Sequence, residues 1–249
     1  MPEGDAVRRT ARLLDRGLSG QDLVRSDFRV PQLATVDLGG GTVVATVPRG
    51  KHLLTRIDHR TGEWTLHTHL KMEGSWRVME AGRRWPKPGH QARVVLRTAT
   101  TEAVGFLLGV VELVRREREQ DLLAHLGPDL LGADWDEDEA LRRLLAEPDV
   151  PLFEAIRDQR KVAGVGTIYA AETSFLAGVH PMRAVGEVPD LRRMLARTRE
   201  LMDAEWAMKG RMWVYGRRAC RRCGGTVTVL RVGPAGEERP AYLCANCQR

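Results

Sequence analysis

The first residues after Met1 carry the most distinctive chemistry in the chain. Removal of Met1 would leave Pro2 with a free secondary amine beside the carboxyl group of Glu3. A chain-terminal amine titrates near ~8, so a neutral nucleophile that can form a Schiff base is available near physiological pH. The Glu3 carboxyl group could pass protons to or from the same centre. Because ordinary proteins also begin with Met-Pro, these residues predict catalysis only with support from the rest of the chain.

All four cysteines lie near the carboxyl end of the chain. Cys220 and Cys223 form one Cys-x-x-Cys pair, and Cys244 and Cys247 form a second pair after twenty intervening residues. This spacing is typical of a zinc ribbon, in which four thiolates hold one structural Zn²⁺. Two disulfides are the alternative. The N-terminus lacks the pattern of a secretory signal, so we expect a cytoplasmic protein with zinc.

The positive charge of the chain is concentrated in the same segment. Residues 209–249 contain nine lysines and arginines against two glutamates, whereas the remainder contains 30 basic and 31 acidic residues. A basic segment of this kind suits a polyanion, although a solvated tail is the alternative. The chain has 43% apolar residues, which is enough for a packed core, and no apolar run long enough for a membrane span.

Hydrophobic periodicity predicts three kinds of structure in succession. Residues 4–17 have the pattern of an amphipathic helix that would anchor Pro2. Short alternating runs separated by turns then predict an antiparallel β-sandwich. These runs are residues 35–38, 42–47, 52–57, 64–69, 76–79, 92–96 and 103–108. Helices follow at residues 118–126, 136–146, 151–156, 167–176 and 191–208, and a hairpin is expected between the cysteine pairs.

These elements predict an α+β multi-domain protein. An N-terminal helix and a β-sandwich form the first domain, residues 1–115, and a linker covers residues 116–135. A helical domain at 136–210 and a zinc ribbon at 211–249 complete the chain.

Two motifs in the predicted sandwich carry polar side chains. Lys51 follows a glycine at the start of a strand, where it could hold a phosphate or assist a proton transfer; a solvated surface lysine is the alternative. His67, His69 and Lys71 are expected on one face of a strand, with Met72 on the opposite face. Because no third ligand stands out near the two histidines, we do not expect a second metal site.

A glycine-rich turn precedes one of the predicted helices. Gly164 and Gly166 flank this turn, and Thr167 is expected to cap the helix that follows. Unpaired backbone N–H groups at such a helix start can bind phosphate. A helical hairpin formed only for packing would have the same pattern.

Taken in order along the whole chain, these motifs resemble the formamidopyrimidine-DNA glycosylase and endonuclease VIII family of base-excision repair enzymes. The motifs are Met-Pro-Glu-Gly at 1–4, Arg-Gly-Lys at 49–51, His-Leu-Lys-Met-Glu-Gly at 69–74, Leu-Gly-Pro-Asp at 126–129, Val-Ala-Gly-Val-Gly-Thr-Ile-Tyr at 162–169, Val-Tyr-Gly-Arg at 214–217 and the cysteine ribbon. The resemblance implies that residues 162–169 belong to a helix-two-turns-helix DNA-binding element. It also implies a bifunctional DNA glycosylase and abasic-site lyase.

The resemblance further implies a role for each matching residue. Pro2 corresponds to the nucleophile that attacks the damaged nucleotide, Glu3 to its acid/base partner, and Lys51 to a residue that assists elimination and grips phosphate. Arg239 lies five residues before Cys244, as does the family's ribbon arginine, which aids the second elimination. The remaining matches are expected to contact DNA, and they are His69, Met72, Gly166, Thr167 and Tyr215. Met72 would fill the gap left by an everted base.

Several positions depart from the family pattern. Thr167 stands where asparagine is usual, and Ala6 stands where a glutamate is frequent. Residues 105–110 replace an arginine-containing loop of the purine-specific branch, and Gly4 favours the endonuclease VIII branch. We therefore expect oxidised pyrimidines in damaged double-stranded DNA as substrates of a monomeric enzyme, which would cut by β,δ-elimination. The alternatives are a non-catalytic damaged-DNA-binding zinc-ribbon protein and a zinc-ribbon interaction module.

Overall fold

The computed structural model describes residues 2–249, apart from the side chains of Met208 and Lys209. The chain forms two compact units, Met1–Ala124 and His125–Arg249. This division falls inside the predicted linker, residues 116–135. Among the described helices, none has the length and apolar character needed to cross a membrane.

The first unit contains a long helix, two four-stranded antiparallel sheets and a short closing helix. Its elements are α1 (Gly4–Leu18), β1 (Arg25–Phe28), β2 (Thr42–Arg49), β3 (His52–His59), β4 (Gly62–His69), β5 (Ser75–Glu80), β6 (Ala92–Arg97), β7 (Thr101–Phe106), β8 (Val110–Arg115) and α2 (Glu119–Leu123). The strand orders are β1-β6-β7-β5 and β2-β3-β4-β8. Both sheets and α1 contribute to one hydrophobic core, so the predicted β-sandwich with an N-terminal helix is confirmed.

Helix α1 belongs to this core because its apolar residues recur at helical spacing. Val7, Ala11, Leu14 and Leu18 are buried on one face, as the sequence predicts. The helix is also tied to β2 by polar contacts. The Asp15 side chain accepts a hydrogen bond from the backbone N–H of Thr46 at 2.9 Å.

Several details of the first unit differ from the sequence prediction. Residues 35–38 were expected to form a strand but do not, because Asp37 accepts hydrogen bonds from Ser26 and from the backbone of Gly39 and so closes a local turn. Strands β1 and β8 were missed. Lys71 does not continue β4: the strand ends at His69, and Lys71 has φ 51° in the following turn.

The second unit combines four helices with a two-stranded hairpin. These elements are α3 (Glu137–Leu145), α4 (Leu152–Ala155), α5 (Thr167–Leu176), α6 (Leu191–Asp203), β9 (Thr228–Val232) and β10 (Arg239–Leu243). The hairpin between the cysteine pairs is therefore confirmed. Helix α6 ends at Asp203 rather than at residue 208, since Glu205 adopts a left-handed conformation that a helix cannot continue. Helix α2 is likewise shorter than the predicted 118–126.

The hairpin and the helices of the second unit share one hydrophobic core. Val232 of β9 and Ala241 of β10 are buried with Tyr169 of α5 and Leu195 of α6. Phe175 of α5 packs in a second cluster with two of the ribbon cysteines. The predicted helical domain and ribbon are thus successive segments of one compact unit.

Candidate functional site

The predicted nucleophile and its carboxylate stand at the start of α1. Glu3 is the N-cap residue of the helix, and its carbonyl oxygen accepts the N–H of Val7 at 3.0 Å. Its side chain is buried, with the residue only 3% exposed, and Pro2 is half-buried. A carboxyl group shielded from water beside a partly accessible amine is suited to proton transfer.

Helix α1 and strand β2 run in opposite directions, which determines what lies near Pro2. Gly20, just after the helix, donates to the carbonyl of Val43 at 2.8 Å, and Asp15 accepts from Thr46 further along β2. From Asp15 back to Gly4 the helix rises about 16 Å. From Thr46 forward to Arg49, the last residue of β2, the strand advances about 10 Å in the opposite chain direction, and the β2–β3 turn follows. The start of α1 and the β2–β3 turn therefore lie toward the same end of the first unit.

Lys51 occupies this two-residue turn. Arg49 pairs with His52 across the hairpin, and Gly50 between them has φ 55°, a conformation that glycine adopts without strain. Lys51 is only 8% exposed. The alternative of a solvated surface lysine is therefore wrong, and the turn instead holds a cation within the protein.

His69 lies opposite His52 in the β3–β4 ladder and is electrostatically linked to Lys51. Burial lowers the pKa of His69 to about 4, and the charges of Lys71, Lys51 and His67 act in the same direction. Its Nδ1 accepts the backbone N–H of Lys71 at 2.9 Å. Neutral His69 consequently carries its proton on Nε2, where the ring can donate to an anionic group.

Met72 lies in the turn between β4 and β5. It is 66% exposed, which is unusual for a large apolar side chain. The backbone N–H of Gly74 bonds to the carbonyl of Leu70 at 2.9 Å, so the turn that carries Met72 is closed. An exposed flexible apolar side chain on a closed turn is suited to insertion between stacked bases.

The glycine turn of the second unit leads directly into α5. Gly164 has φ 98°, and Gly166 is the N-cap residue. Thr167 is the first residue of the helix rather than its cap, so the predicted capping role of Thr167 is wrong. An N-cap side chain must precede the first helical residue, and here that position is occupied by glycine.

Gln159 holds this turn in place, although the sequence analysis did not identify it. Its Oε1 accepts the N–H of Gly164 at 3.0 Å. Its Nε2 donates to the carbonyls of Val165 at 2.8 Å and Arg157 at 2.7 Å. The side chain therefore fixes the backbone that presents N–H groups at the start of α5.

Glu172 is a second residue that sequence reasoning missed. It is fully buried in α5, and its carboxylate accepts the backbone N–H groups of Trp213 at 2.7 Å, Val214 at 3.0 Å and Tyr215 at 2.9 Å. This contact joins the middle of α5 to the segment that carries Tyr215. The available signal was an acidic residue inside an otherwise apolar helix.

The four cysteines are arranged for a single metal ion. Their sulfur atoms all lie within 4.8 Å of one another, with 4.0 Å between Cys220 and Cys247 and 3.5 Å between Cys223 and Cys244. Four sulfurs at the 2.3 Å zinc–sulfur distance in a tetrahedron are about 3.8 Å apart. The pKa of Cys223 is lowered to about 7, mainly by a hydrogen bond from the backbone N–H of Gly225 and next by a hydrogen bond with the Cys244 side chain. The donor set therefore fits Zn²⁺.

Arg239 is the first residue of β10 and lies at the end of the ribbon hairpin. Its backbone is paired with Val232 of β9. The exposed guanidinium group donates to the carbonyl oxygens of Glu237 and Glu238, each at 3.2 Å. The hairpin thus presents a cation at its tip.

The predicted residues therefore belong to two sets. In the first unit the structure brings Lys51 and His69 together, and the start of α1 lies toward the same end of that unit. In the second unit it joins the α5 turn to the segment of Tyr215 through Glu172, and it gathers the four cysteines at the ribbon. Each set is complete within its own unit.

Comparison with known proteins identifies the family of the chain. The formamidopyrimidine-DNA glycosylase N-terminal domain family matches residues 1–107. A probable endonuclease 8 2 of Streptomyces coelicolor is 48% identical over 100% of this chain and 94% of its own length. A DNA-(apurinic or apyrimidinic site) lyase of Mycolicibacterium smegmatis is 43% identical over 100% of this chain and 99% of its own length.

The fold matches a solved structure as well. Lactococcus lactis formamidopyrimidine-DNA glycosylase, non-covalently bound to DNA containing an abasic site, aligns with a TM-score of 0.82 at 22% identity and covers 99% of both chains. The chain therefore belongs to the formamidopyrimidine-DNA glycosylase and endonuclease VIII family, whose members are DNA glycosylases and abasic-site lyases of base-excision repair.

Proposed function

We propose that this protein removes oxidised bases, with pyrimidines favoured, from damaged double-stranded DNA and then cleaves the strand. The observation that carries the proposal is the pairing of Pro2 with the buried carboxyl group of Glu3 at the start of α1, toward the same end of the first unit as the turn of Lys51. This arrangement supplies a nucleophile, a proton-transfer group and a cation at one end of the sandwich.

The reaction begins after Met1 has been removed. The Pro2 amine attacks the anomeric carbon of an everted nucleotide, the bond to the damaged base breaks, and Glu3 provides the proton transfer. The resulting iminium makes the C2′ proton acidic. Two successive eliminations then expel the phosphates on either side, with Lys51 holding phosphate and Arg239 assisting the second step. The product is a one-nucleotide gap.

The second unit supplies the grip on DNA. Backbone N–H groups after Gly164 and Gly166, at the positive end of α5, would bind a phosphate, and Tyr215 would contact the backbone nearby. In the first unit His69 would donate to phosphate and Met72 would fill the space of the everted base. One structural Zn²⁺ would be held by Cys220, Cys223, Cys244 and Cys247 and would fix the hairpin of Arg239. We propose that the enzyme acts as a monomer.

The connection between β7 and β8 supports the proposed preference for pyrimidines. Residues 107–109 form this connection, with Leu107 at φ 49° and Leu108 buried, and they contain no arginine. In the purine-specific branch of the family, an arginine-containing loop at the corresponding position faces the orphaned base. The two relatives described above, at 48% and 43% identity, support a place near the endonuclease VIII branch.

Borohydride trapping on a duplex with an abasic site tests the Schiff base, because only a covalent imine is reduced to a stable adduct. We expect trapping by the wild-type chain. Pro2→Gly should lose most trapping and glycosylase activity, because the amine has a different basicity and geometry. Mass spectrometry should find Pro2 as the first residue of active protein. Full activity in chains that retain Met1 would refute the mechanism.

A panel of duplexes with single defined lesions tests the substrate class independently. Oxidised pyrimidines should be excised faster than formamidopyrimidine or oxidised guanine under single-turnover conditions. The same chain must trap on an abasic site in each preparation, which controls for active protein. Faster excision of the purine lesions would reject the pyrimidine preference and leave the Schiff-base chemistry intact.

A further inference from the structure

The loop between β5 and β6, residues 81–91, carries positive charge and contains no acidic residue. We call it the basic loop, and its charged residues are Arg83, Arg84 and Lys87. Trp85 of this loop packs against a buried cluster that contains Val95 of β6 and Val104 of β7. Their chain neighbours Val94 and Ala103 belong to the main core of the first unit. The basic loop therefore covers the outer face of the β1-β6-β7-β5 sheet.

Trp85 fixes the basic loop on this sheet. Its Nε1–H donates to the buried carboxylate of Glu102 at 2.5 Å, and its ring meets that of Phe106 edge-on with 6.0 Å between centroids. The guanidinium group of Arg29 lies over the same indole ring, 5.0 Å from its centroid, and donates to the carbonyl oxygen of Gly89 at 3.1 Å. Residues 86–88, between these two anchors, consequently have a defined position.

Lys87 lies between the anchors and reaches one end of the sheet. Its Nζ donates to the hydroxyl group of Ser75 at 3.0 Å and lies 5.8 Å from the centroid of the Phe106 ring. Ser75 is the first residue of β5 and pairs with Phe106, the last residue of β7. In the part of the chain that the structure describes, the neutral Ser75 is the one hydrogen-bonding partner of this ammonium group. An ammonium group has three donors, so it can bind a further acceptor.

Packing of the basic loop requires the stem of Lys87 but not its charge. Lys87 is half-buried, and its methylene chain can cover Phe106. Shielding the ammonium group from water costs free energy, which one neutral hydroxyl group offsets only in part. A methionine of similar length would cover Phe106 without that cost. An anion bound from outside the protein would account for the charge.

The position of Lys87 relative to Met72 indicates which anion this is. The turn that carries Met72 joins β4, which ends at His69, to β5, which begins at Ser75. Strand β4 belongs to the β2-β3-β4-β8 sheet, whereas β5 belongs to the β1-β6-β7-β5 sheet. The turn therefore crosses from one sheet to the other, with Lys51 and His69 on one side and Lys87 on the other.

We propose that Lys87 binds a backbone phosphate of the strand opposite the lesion; this assignment rests on the proposed function, in which Met72 fills the space of the everted base. The damaged nucleotide then lies on the side of Lys51, so the opposite strand lies on the side of Lys87. Packed sheets are about 10 Å apart, which is of the order of the ~6–12 Å width of the DNA grooves. A lysine at this place neutralises a phosphate and positions the duplex without reading its sequence.

Binding to a duplex with a tetrahydrofuran abasic-site analogue tests this contact apart from the chemistry, because the analogue cannot form an imine. Lys87→Met keeps the stem over Phe106 and removes the charge. Its DNA affinity should be about three- to tenfold lower than that of wild type at about 0.1 M salt. The slope of log affinity against log salt concentration should decrease in magnitude by about 0.9. Lys87→Arg, which keeps the charge, should retain the wild-type slope.

Arg83→Met is the matched control for the loss of one positive charge. Arg83 is an exposed residue of the same basic loop, but its backbone N–H bonds to the carbonyl oxygen of Glu80 at the far end of β5. Strand β5 has six residues, so Arg83 is attached about 17 Å from the end that carries Ser75. Arg83→Met should keep the wild-type slope. An equal decrease in both variants would overturn the proposal, because overall charge alone would then explain it.

Single methylphosphonate linkages, each of which removes the charge of one phosphate, identify the strand. At a position opposite the lesion, the neutral linkage should weaken binding by wild type and have little further effect on Lys87→Met, since paired groups are not additive. Coupling only to a phosphate of the damaged strand would overturn the strand assignment. No coupling at any position would overturn the phosphate contact. Lys87→Gln enters the same comparison if Lys87→Met does not fold.

Failure of the proposed function has a different signature. If wild type binds the analogue but forms no borohydride-trapped adduct on an abasic duplex, the Schiff-base mechanism is wrong, and the methylphosphonate coupling still decides the contact of Lys87. If wild type traps and cleaves while Lys87→Met keeps the wild-type affinity and salt slope, the mechanism stands and only the assignment of Lys87 falls.

Discussion

The two units of this protein organise their candidate sites with different groups. In the first unit the groups are ionisable side chains removed from water, such as Glu3, Lys51 and His69. In the second unit they are backbone N–H groups and the exposed cation of Arg239. The half-buried Gln159 and the buried Glu172 hold the backbone around them. Burial makes proton affinities adjustable, which suits chemistry. A fixed array of backbone donors suits phosphate, which requires charge complementarity without reaction.

This contrast predicts that substitutions in the first unit alter rates and that substitutions in the second unit alter affinity. The largest rate effect is expected at Glu3. Glu3→Gln keeps the size of the buried side chain but cannot transfer a proton, so base removal should slow by about 10²- to 10⁴-fold. Single-turnover excision on a lesion duplex measures the rate, and a titration at one fixed salt concentration measures the affinity.

Glu80→Gln at the exposed end of β5 is the matched control for Glu3→Gln. It should change neither the rate nor the affinity. An equal loss of affinity and rate in Glu3→Gln would contradict the division of roles, because it would mean that the buried carboxyl group supports DNA binding rather than chemistry.

Metal removal should give the largest effect on the second unit. The cluster that contains Cys220 and Cys244 also contains Phe175 of α5, so loss of the ion should loosen the helix as well as the hairpin. DNA affinity should fall by about 10²-fold or more, because several phosphate contacts are lost together. Amide hydrogen exchange after chelation, and in Cys244→Ser, should rise in β9, β10 and α5 while β3 and β4 stay protected.

Arg239→Ala separates the cation from the metal site. It should weaken DNA binding and the second elimination without zinc loss, which metal analysis of the purified variant would establish. Unchanged DNA affinity in the metal-free protein would contradict the proposed role of the ribbon.

The sequence predicted best what depends on residues close together in the chain. The cysteine pairs, the apolar face of α1 and the glycine turn before α5 all follow from short spacings, and the structure contains each of them. The family motifs named Pro2 and Lys51 in the same way. Their catalytic roles stay predictions that the experiments above test.

The missed features depend on pairings between distant segments. Glu172 meets Tyr215 across 43 positions of the chain, and His67 meets Glu112 across 45. A short polar strand such as β1, whose sequence is Arg-Ser-Asp-Phe, becomes a strand only by pairing with β6. No local pattern encodes which distant partner a buried polar side chain will find, so these contacts could be read only from the fold.

A smaller effect on affinity is expected at Gln159, which has no role in the chemistry. Gln159→Ala removes three hydrogen bonds to the backbone around the α5 turn, so it should destabilise the second unit by about 1–3 kcal/mol. DNA affinity should fall about tenfold because the N–H groups are no longer held in place. Urea unfolding and a duplex titration measure the two effects, and Gln120→Ala on α2 is the control. A normal affinity would show that the turn is rigid without its clamp.

The buried histidine of the first unit should make that unit sensitive to acid. The pKa of His69 is lowered to about 4 in the folded chain from 6.5, so between these values the unfolded chain binds a proton that the folded chain does not. Stability should therefore fall as pH decreases from about 6.5 to about 4. Exchange of β3 and β4 amides, corrected for intrinsic rates, should show less pH dependence in His69→Gln, whereas the exposed control His90→Gln should match wild type. The same pH dependence in His69→Gln would contradict this origin.

The smallest effect is expected at Thr167. This residue departs from the family pattern at the start of α5, where backbone N–H groups are expected to bind phosphate. Because Gly166 is the N-cap residue of α5, Thr167→Ala should change stability by only a few tenths of a kcal/mol. Asp136→Ala is the positive control: the Asp136 side chain caps α3 by accepting the N–H of Glu139 at 2.9 Å, and its loss should cost about 1 kcal/mol. Urea unfolding of both variants compares them directly.

The same position tests whether backbone groups suffice for the phosphate. If they do, Thr167→Ala should bind a lesion duplex nearly as tightly as wild type at one fixed salt concentration. Thr167→Asn adds a longer side chain with two N–H donors and should tighten binding by up to about tenfold, since a hydrogen bond to a charged group contributes on the order of 1.5 kcal/mol. A large affinity loss in Thr167→Ala with unchanged stability would mean that the threonine hydroxyl itself binds the phosphate. The second unit would then depend on a side chain at the one place where its backbone was expected to act alone.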